Sequence, residues 1–161
     1  MAELTASSPS MAQPTELQRV VGLLGGAEVL RHRLNNRLDV HELLLQGLPG
    51  QAVSHLVGSL MVLKRTASLE RAVGMSLRTF QRRKYAPAEP LNQEQSGRAW
   101  KFAEILAKAT EVFGSQEEAE QWLERPAIGL DQWRPIDLLA TPAGVELVED
   151  LLKRLEYGVY I

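Results

Sequence analysis

The chain of 161 residues contains no cysteine. A disulfide scaffold and thiolate metal sites are therefore excluded, and a reducing cytoplasm is the expected setting. Long apolar runs are missing too. The longest stretch without a formal charge, Leu43 to Leu63, is interrupted by Gln46, Pro49-Gly50, Gln51, Ser54, His55 and Ser59, so it reads as buried helices and not as a membrane span. No alternation of period two persists anywhere, which leaves an all-helical fold. His32, His41 and His55 stand nine and fourteen residues apart without the i, i+4 spacing of a metal-binding helix. Gly22, Gly25 and Gly26 do not compose a dinucleotide-binding turn and follow a helix-like segment instead of a strand. Glu117, Glu118, Glu120 and Glu124 read as a solvated helix face and not as a catalytic set. No enzyme and no cofactor is expected. The segment Met1 to Pro14 has neither a basic start nor an apolar run, so it is expected to be a mobile tail and not a secretory leader.

What the chain does have is apolar material, 45% of residues against 24% charged, enough for a real core in one domain or two small ones. Its net charge of −2 hides an asymmetry. Residues 1–60 carry four bases against five acids, residues 61–90 seven against two, and residues 91–161 seven against thirteen. A basic middle followed by an acidic end points to two partners of opposite charge.

Within the basic block, Ala67 to Val73 reads as a short helix stopped by Gly74, and a second helix restarts behind Ser76, a good N-cap residue. At about 100° per residue, Leu77, Phe80, Gln81 and Lys84 share one side while Arg78, Thr79, Arg82 and Arg83 share the other. Leu77 and Phe80 are expected to anchor the helix, leaving the second face for DNA. Arginine supplies a fork of donors that fits guanine or phosphate, and Thr79 can reach a phosphate or a base edge. Ser76, Arg78, Thr79, Arg82 and Arg83 are thus the candidate DNA-binding residues.

Supporting helices surround this pair. Leu17, Val20, Val21 and Leu24 recur at helical spacing before Gly25-Gly26, and Ala27 to Gln46 forms one long helix or two shorter ones. A helix from about Pro49 to Leu60 buries Val53, Leu56, Val57 and Leu60, with Pro49 in its first turn. Self-association is expected through the helices between Leu17 and Leu60. The two prolines in Tyr85 to Pro90 forbid a regular helix and mark the clearest internal break. From near Asn92 to Phe113, stripes of Trp100, Ala103, Ala107, Thr110 and Phe113 and of Phe102, Ile105, Ala109 and Val112 leave little circumference for water, as in a helix buried between layers. Ser115 and Glu118 have capping-box spacing, and Thr141-Pro142 opens a final helix with Val145, Val148, Leu152 and Leu155 on one stripe and Gly158 as its stop.

Gly74-Met75-Ser76 followed by Arg78-Thr79 is similar to the turn and recognition helix of Xre-type helix-turn-helix regulators. In order, Trp122-Leu123, Pro126, Pro135 through Leu139, Gly144, Val148, Leu151-Leu152, Arg154 and Gly158 resemble the toxin-binding domain of the Xre/MbcA/ParS antitoxin family. The resemblance covers residues 91–161 well and residues 40–90 more loosely. It implies a helix-turn-helix bundle over residues 15–90, with residues 1–14 as the tail, and a small helical toxin-binding domain over residues 91–161. It further implies a RES-domain, NAD-degrading toxin as protein partner and operator DNA as the second; because a helix-turn-helix repressor usually acts as a symmetric oligomer, a homodimer that assembles with the toxin into a hetero-oligomer is expected. The C-terminal segment Tyr157, Gly158, Val159, Tyr160 and Ile161 would obstruct the toxin's NAD pocket. Trp133 departs from the family's small, glycine-rich connection before the proline, and it is either a partner anchor or a core plug. With Arg134 and Arg154 it completes the candidate toxin-binding set. The competing reading is a stand-alone regulator whose C-terminal domain serves dimerisation or another protein.

Overall fold

The computed structural model describes residues 14–63, 67–76, 78, 79, 82 and 89–158. Among the described residues the chain is helical without β-strands: α1 (Glu16–Leu23), α2 (Gly26–Leu30), α3 (Arg37–Gln46), α4 (Gly50–Ser59), α5 (Ala67–Val73), α6 (Gln93–Phe113), α7 (Gln116–Glu124), a 3-10 turn (Ile128–Leu130), α8 (Pro135–Leu138) and α9 (Pro142–Glu156). Residues 78, 79 and 82 are also helical. None of the helices in the described residues is long and apolar enough to cross a membrane. The expected tail, residues 1–14, lies outside the described residues except for Pro14.

Local hydrogen bonds decide where these helices begin. Thr15 opens α1 with a reciprocal box, its hydroxyl accepting from Gln18 N–H at 3.2 Å and its own N–H donating to Gln18 Oε1 at 2.8 Å. Of the two arrangements open for Ala27 to Gln46, the chain adopts two helices. Arg31 turns left-handed at φ 57°, and Asn36 caps α3 by accepting from Asp39 N–H at 3.0 Å. An asparagine side chain that bonds the backbone ahead of it starts a helix better than it continues one. Pro49 is not in the first turn of α4; it precedes the helix in an extended conformation and pairs with Pro90 in an isolated antiparallel bridge. Leu91 N–H donates to Leu48 O at 2.8 Å, so the end of the proline-rich break is tied to the start of α4. Val57 is half-buried, not buried with Val53, Leu56 and Leu60. Only half of the box at Ser115 forms: its hydroxyl accepts from Glu118 N–H at 3.2 Å, and among the described residues no return bond from Glu118 is made.

The 21-residue helix α6 is the spine of the molecule. Asn92 and Gln95 cap its start reciprocally, and Gly114 ends it at φ 92°. It packs against α1, α3, α5, α7 and α9, so Trp100, Phe102, Ala103, Ile105, Leu106, Ala107 and Ala109 are all buried. One continuous cluster of apolar side chains runs from Val20 to Leu152. The ring of Phe113 meets that of Trp122 at 5.1 Å, fixing the turn between α6 and α7.

Glu120 overturns its reading as part of a solvated face. It is wholly buried on α7, and its Oε1 accepts from the backbone N–H groups of Met61, Val62 and Leu63 at 2.9, 2.9 and 3.1 Å. Its Oε2 accepts from Gln116 Nε2 at 3.0 Å. A buried carboxylate is tolerated because backbone and amide donors saturate it.

Candidate functional site

The basic helix is launched by a tight turn. Gly74 takes φ 71°, a left-handed conformation that favours glycine, and a Cβ at this position would lie 2.7 Å from Arg98 Nη1, so the guanidinium would have to shift. Arg98 lies across the turn and donates from Nη2 to Arg71 O. Beyond the buried Met75, the Ser76 hydroxyl accepts from Thr79 N–H at 3.2 Å and sits 3.0 Å from Thr79 Oγ1. Ser76 therefore serves as the N-cap that its residue type predicts. Arg78 and Arg82 are exposed, Thr79 is half-buried, and neither arginine makes an ion pair among the described residues. Four residues separate the arginines, so they share a helix face. Leu77, Phe80, Gln81, Arg83 and Lys84 lie outside the described residues.

The acidic third builds a different surface. Between α7 and α8 the chain makes a compact turn in which Asp131 and Gln132 are left-handed, at φ 50° and 67°. Ala127 N–H donates to Trp133 O at 3.0 Å and Trp133 N–H donates to Leu130 O at 2.9 Å, closing the turn on itself. The ring of Trp133 stays outside, 57% exposed, which removes the core-plug alternative. Ile128 in the same turn is 77% exposed. The turn rests on α9: a Cβ on Gly129 would come within 2.9 Å of Leu151 Cδ1. Exposed Leu147 stands one turn before Leu151 on the same helix. Arg154 is half-buried, with Nε donating to Asp150 O at 3.4 Å, and Tyr157 is exposed before Gly158, which turns left-handed at φ 71°. Val159, Tyr160 and Ile161 lie outside the described residues.

Arg134 faces the other way. Its Nε and Nη2 grip the Asp137 carboxylate at 2.8 and 3.0 Å, while Nη2 also donates to the buried Ser68 Oγ at 2.7 Å. The hydrogen bond to Asp137, with its charge, outweighs desolvation and holds the guanidinium pKa above its ordinary value. Asp137 Oδ1 in turn lies 3.4 Å from Arg71 Nη2. Ser68 and Arg71 belong to α5, so this cluster fastens the segment before α8 to the first helix of the basic pair.

Comparison with known proteins assigns these two surfaces to two described domains. Residues 39–104 match the antitoxin Xre-like helix-turn-helix domain, and residues 108–158 match the antitoxin Xre/MbcA/ParS C-terminal toxin-binding domain. The chain belongs to the Xre antitoxin family. It is 34% identical over 95 residues to antitoxin Xre of Yersinia enterocolitica and 30% identical over 90 residues to that of Photorhabdus laumondii. These alignments cover 58% and 55% of this chain but only 64% and 60% of the relatives, less than two thirds of their length. Antitoxin Xre of Pseudomonas putida is 28% identical over 138 residues, covering 83% of this chain and 86% of the relative.

Both matched domains are described as binding modules, one a helix-turn-helix and one toxin-binding. Several residues that carry the resemblance to the family have structural work to do. Gly144 is obligatory because a Cβ there would lie 1.9 Å from Leu138 O, so α9 can start against the carbonyl end of α8 only without a side chain. Thr141 caps that start, accepting from Gly144 N–H at 3.0 Å. Asp137 holds Arg134 and Arg71. Sequence reasoning missed Ile128, Leu147, Ser68 and Asp137. For Leu147 a signal existed, since an apolar residue off the buried stripe of an amphipathic helix is a candidate contact; for Ser68 there was none.

Proposed function

We propose that this Xre-family chain is the antitoxin of a type II toxin–antitoxin pair, that it binds and inhibits a RES-domain, NAD-degrading toxin in the cytoplasm, and that it represses its own operon through the helix-turn-helix. The observation that carries the reading is the exposed apolar set Ile128, Trp133, Leu147 and Tyr157 within the segment matched to the toxin-binding domain. Exposed tryptophan and tyrosine are favoured anchors at interfaces, and the closed turn presents Trp133 with little ordering cost. The tail after Gly158 then enters the NAD pocket: Val159-Tyr160-Ile161 is short, apolar and aromatic, as the walls of a nucleotide pocket require. Arg78 and Arg82 supply the operator contacts, with Thr79 and Arg83 beside them, and a homodimer places two such helices on half-sites about one helical turn apart.

The test is co-expression with the neighbouring gene's product, followed by co-purification and NAD turnover. A chain truncated after Gly158 should still capture the toxin, because the helices supply the larger contact area, but should no longer silence it. Full inhibition by the truncated chain would move occlusion to the Ile128–Trp133 turn. Failure of the full chain to capture any RES-type enzyme would leave the stand-alone regulator.

A further inference from the structure

Residues of the toxin-binding half hold both helix α5, the first helix of the helix-turn-helix, and the backbone segment ahead of it. Ahead of it, Glu120 on α7 binds the backbone of Met61, Val62 and Leu63. Along it, Arg134 reaches Ser68 and Asp137 reaches Arg71. Gly74 follows α5 directly, and its turn sets the direction of the helix bearing Arg78 and Arg82. The orientation of the DNA-reading face is therefore referred, through one short helix, to a guanidinium and a carboxylate more than fifty residues further along the chain, Arg134 and Asp137.

We infer that Asp137, with Arg134 and Ser68, is a positioning cluster for operator recognition, so that residues of the toxin-binding segment set the angle at which the helix-turn-helix meets DNA. The inference rests on reading the basic helix as an operator-binding element. Asp137 acts through others: it orients the Arg134 fork, the fork holds Ser68, and Ser68 holds α5. A fork engaging two carboxylate oxygens fixes direction as well as distance, which a single bond does not.

The experiment uses the full chain and a duplex carrying the promoter region upstream of its gene, with affinity measured across a range of salt. Asp137→Asn removes a negative charge, so electrostatics alone would tighten DNA binding. Positioning requires the opposite: affinity about tenfold weaker, and a salt slope smaller by about one for each phosphate that the tilted helix no longer neutralises. Simple destabilisation would lower the competent fraction and leave the slope unchanged. Ser68→Ala, which leaves the Arg134–Asp137 pair intact, should show the same change in slope in milder form, and it carries the test if Asp137→Asn does not fold. Asp137→Asn and Ser68→Ala proteins that bind the duplex at least as tightly as the natural chain, with its slope, would overturn the inference alone. A natural chain that shows no preference for the promoter duplex overturns the operator reading, and the inference with it.

Discussion

The basic segment around Arg78 and Arg82 and the acidic segment from Ser115 to Gly158 deploy charge in opposite ways. In the first, arginines project from a short helix into solvent, and the hydroxyls beside them are spent on capping. In the second, part of the charge is turned inward or paired: Glu120 is buried under backbone donors, Arg134 is gripped by Asp137, and Lys101 and Lys108 of the spine reach across to Glu149 and Glu156 of α9 at 3.1 and 2.7 Å. Beside exposed acids such as Glu117 and Glu146, the acidic segment also leaves outside the apolar side chains of Ile128, Trp133, Leu147 and Tyr157. Unspent charge suits a polyanion, and unspent apolar surface suits a protein; on the proposed function, the contrast between the two segments is the contrast between their partners.

Removing an inward charge should hurt folding most. Glu120→Ala leaves the N–H groups of Met61, Val62 and Leu63 without their acceptor, and unfolding in urea should show a loss of about 3 kcal/mol; Glu117→Ala, on the exposed face of the same helix, should stay within about 0.5 kcal/mol. Equal effects at the two positions would erase the distinction between inward and outward charge. Removing outward charge should do the reverse. The double change Arg78→Ala and Arg82→Ala should weaken promoter binding by about a hundredfold while leaving the urea midpoint and toxin capture where they were, and a shifted midpoint would mean that the basic face is structural. The smallest effect concerns the spine. Burial lowers the pKa of Lys101 and Lys108, but Glu104 and Glu149 around the first and Glu156 around the second outweigh it, so both are raised above 10.5. A raised lysine contributes stability that is complete below its unfolded value and lost as pH climbs through the folded one. Stability should therefore lack any contribution to its pH dependence from these two groups between neutrality and pH 10.5, then fall by about 1 kcal/mol or less per bridge at higher pH. Glutamine at both positions should remove that fall.

Much of the fold could be read from local chemistry. The stops at Gly74 and Gly114, the start at Thr141-Pro142 and the doubly buried stripe of α6 all follow from neighbouring residues, and the structure has each of them. The helix break before Arg37 was legible in Asn36 only as one of two choices, because an asparagine continues a helix at modest cost and caps one with modest gain. Glu120 was illegible. Most of its environment is supplied by Met61 to Leu63, a backbone segment without any side-chain signature, and Gln116, its partner one turn back, is of a type that solvated helix faces also carry. The candidate surfaces divide in the same manner. Trp133 was recognisable as unusual but not as exposed, since only the left-handed pair Asp131 and Gln132 and the turn's own hydrogen bonds decide where its ring goes. Arg134 was chosen for its residue type, and the partners that occupy it are sixty-six residues upstream at Ser68 and three residues downstream at Asp137.

Helix α6 belongs to neither half alone. Its buried residues are shared by the helices before and after it, and the two described domains meet between residues 104 and 108, inside its span. Exchange of parts among related antitoxins is thereby constrained. A chimera joined at the proline-rich break would set a foreign spine against α1, α3 and α5, whereas one joined within α6 would split a continuous apolar surface between two parents. On the proposed function, recombination that trades toxin partners while keeping an operator, or the reverse, must carry compatible versions of this helix, so the fold couples the two specificities.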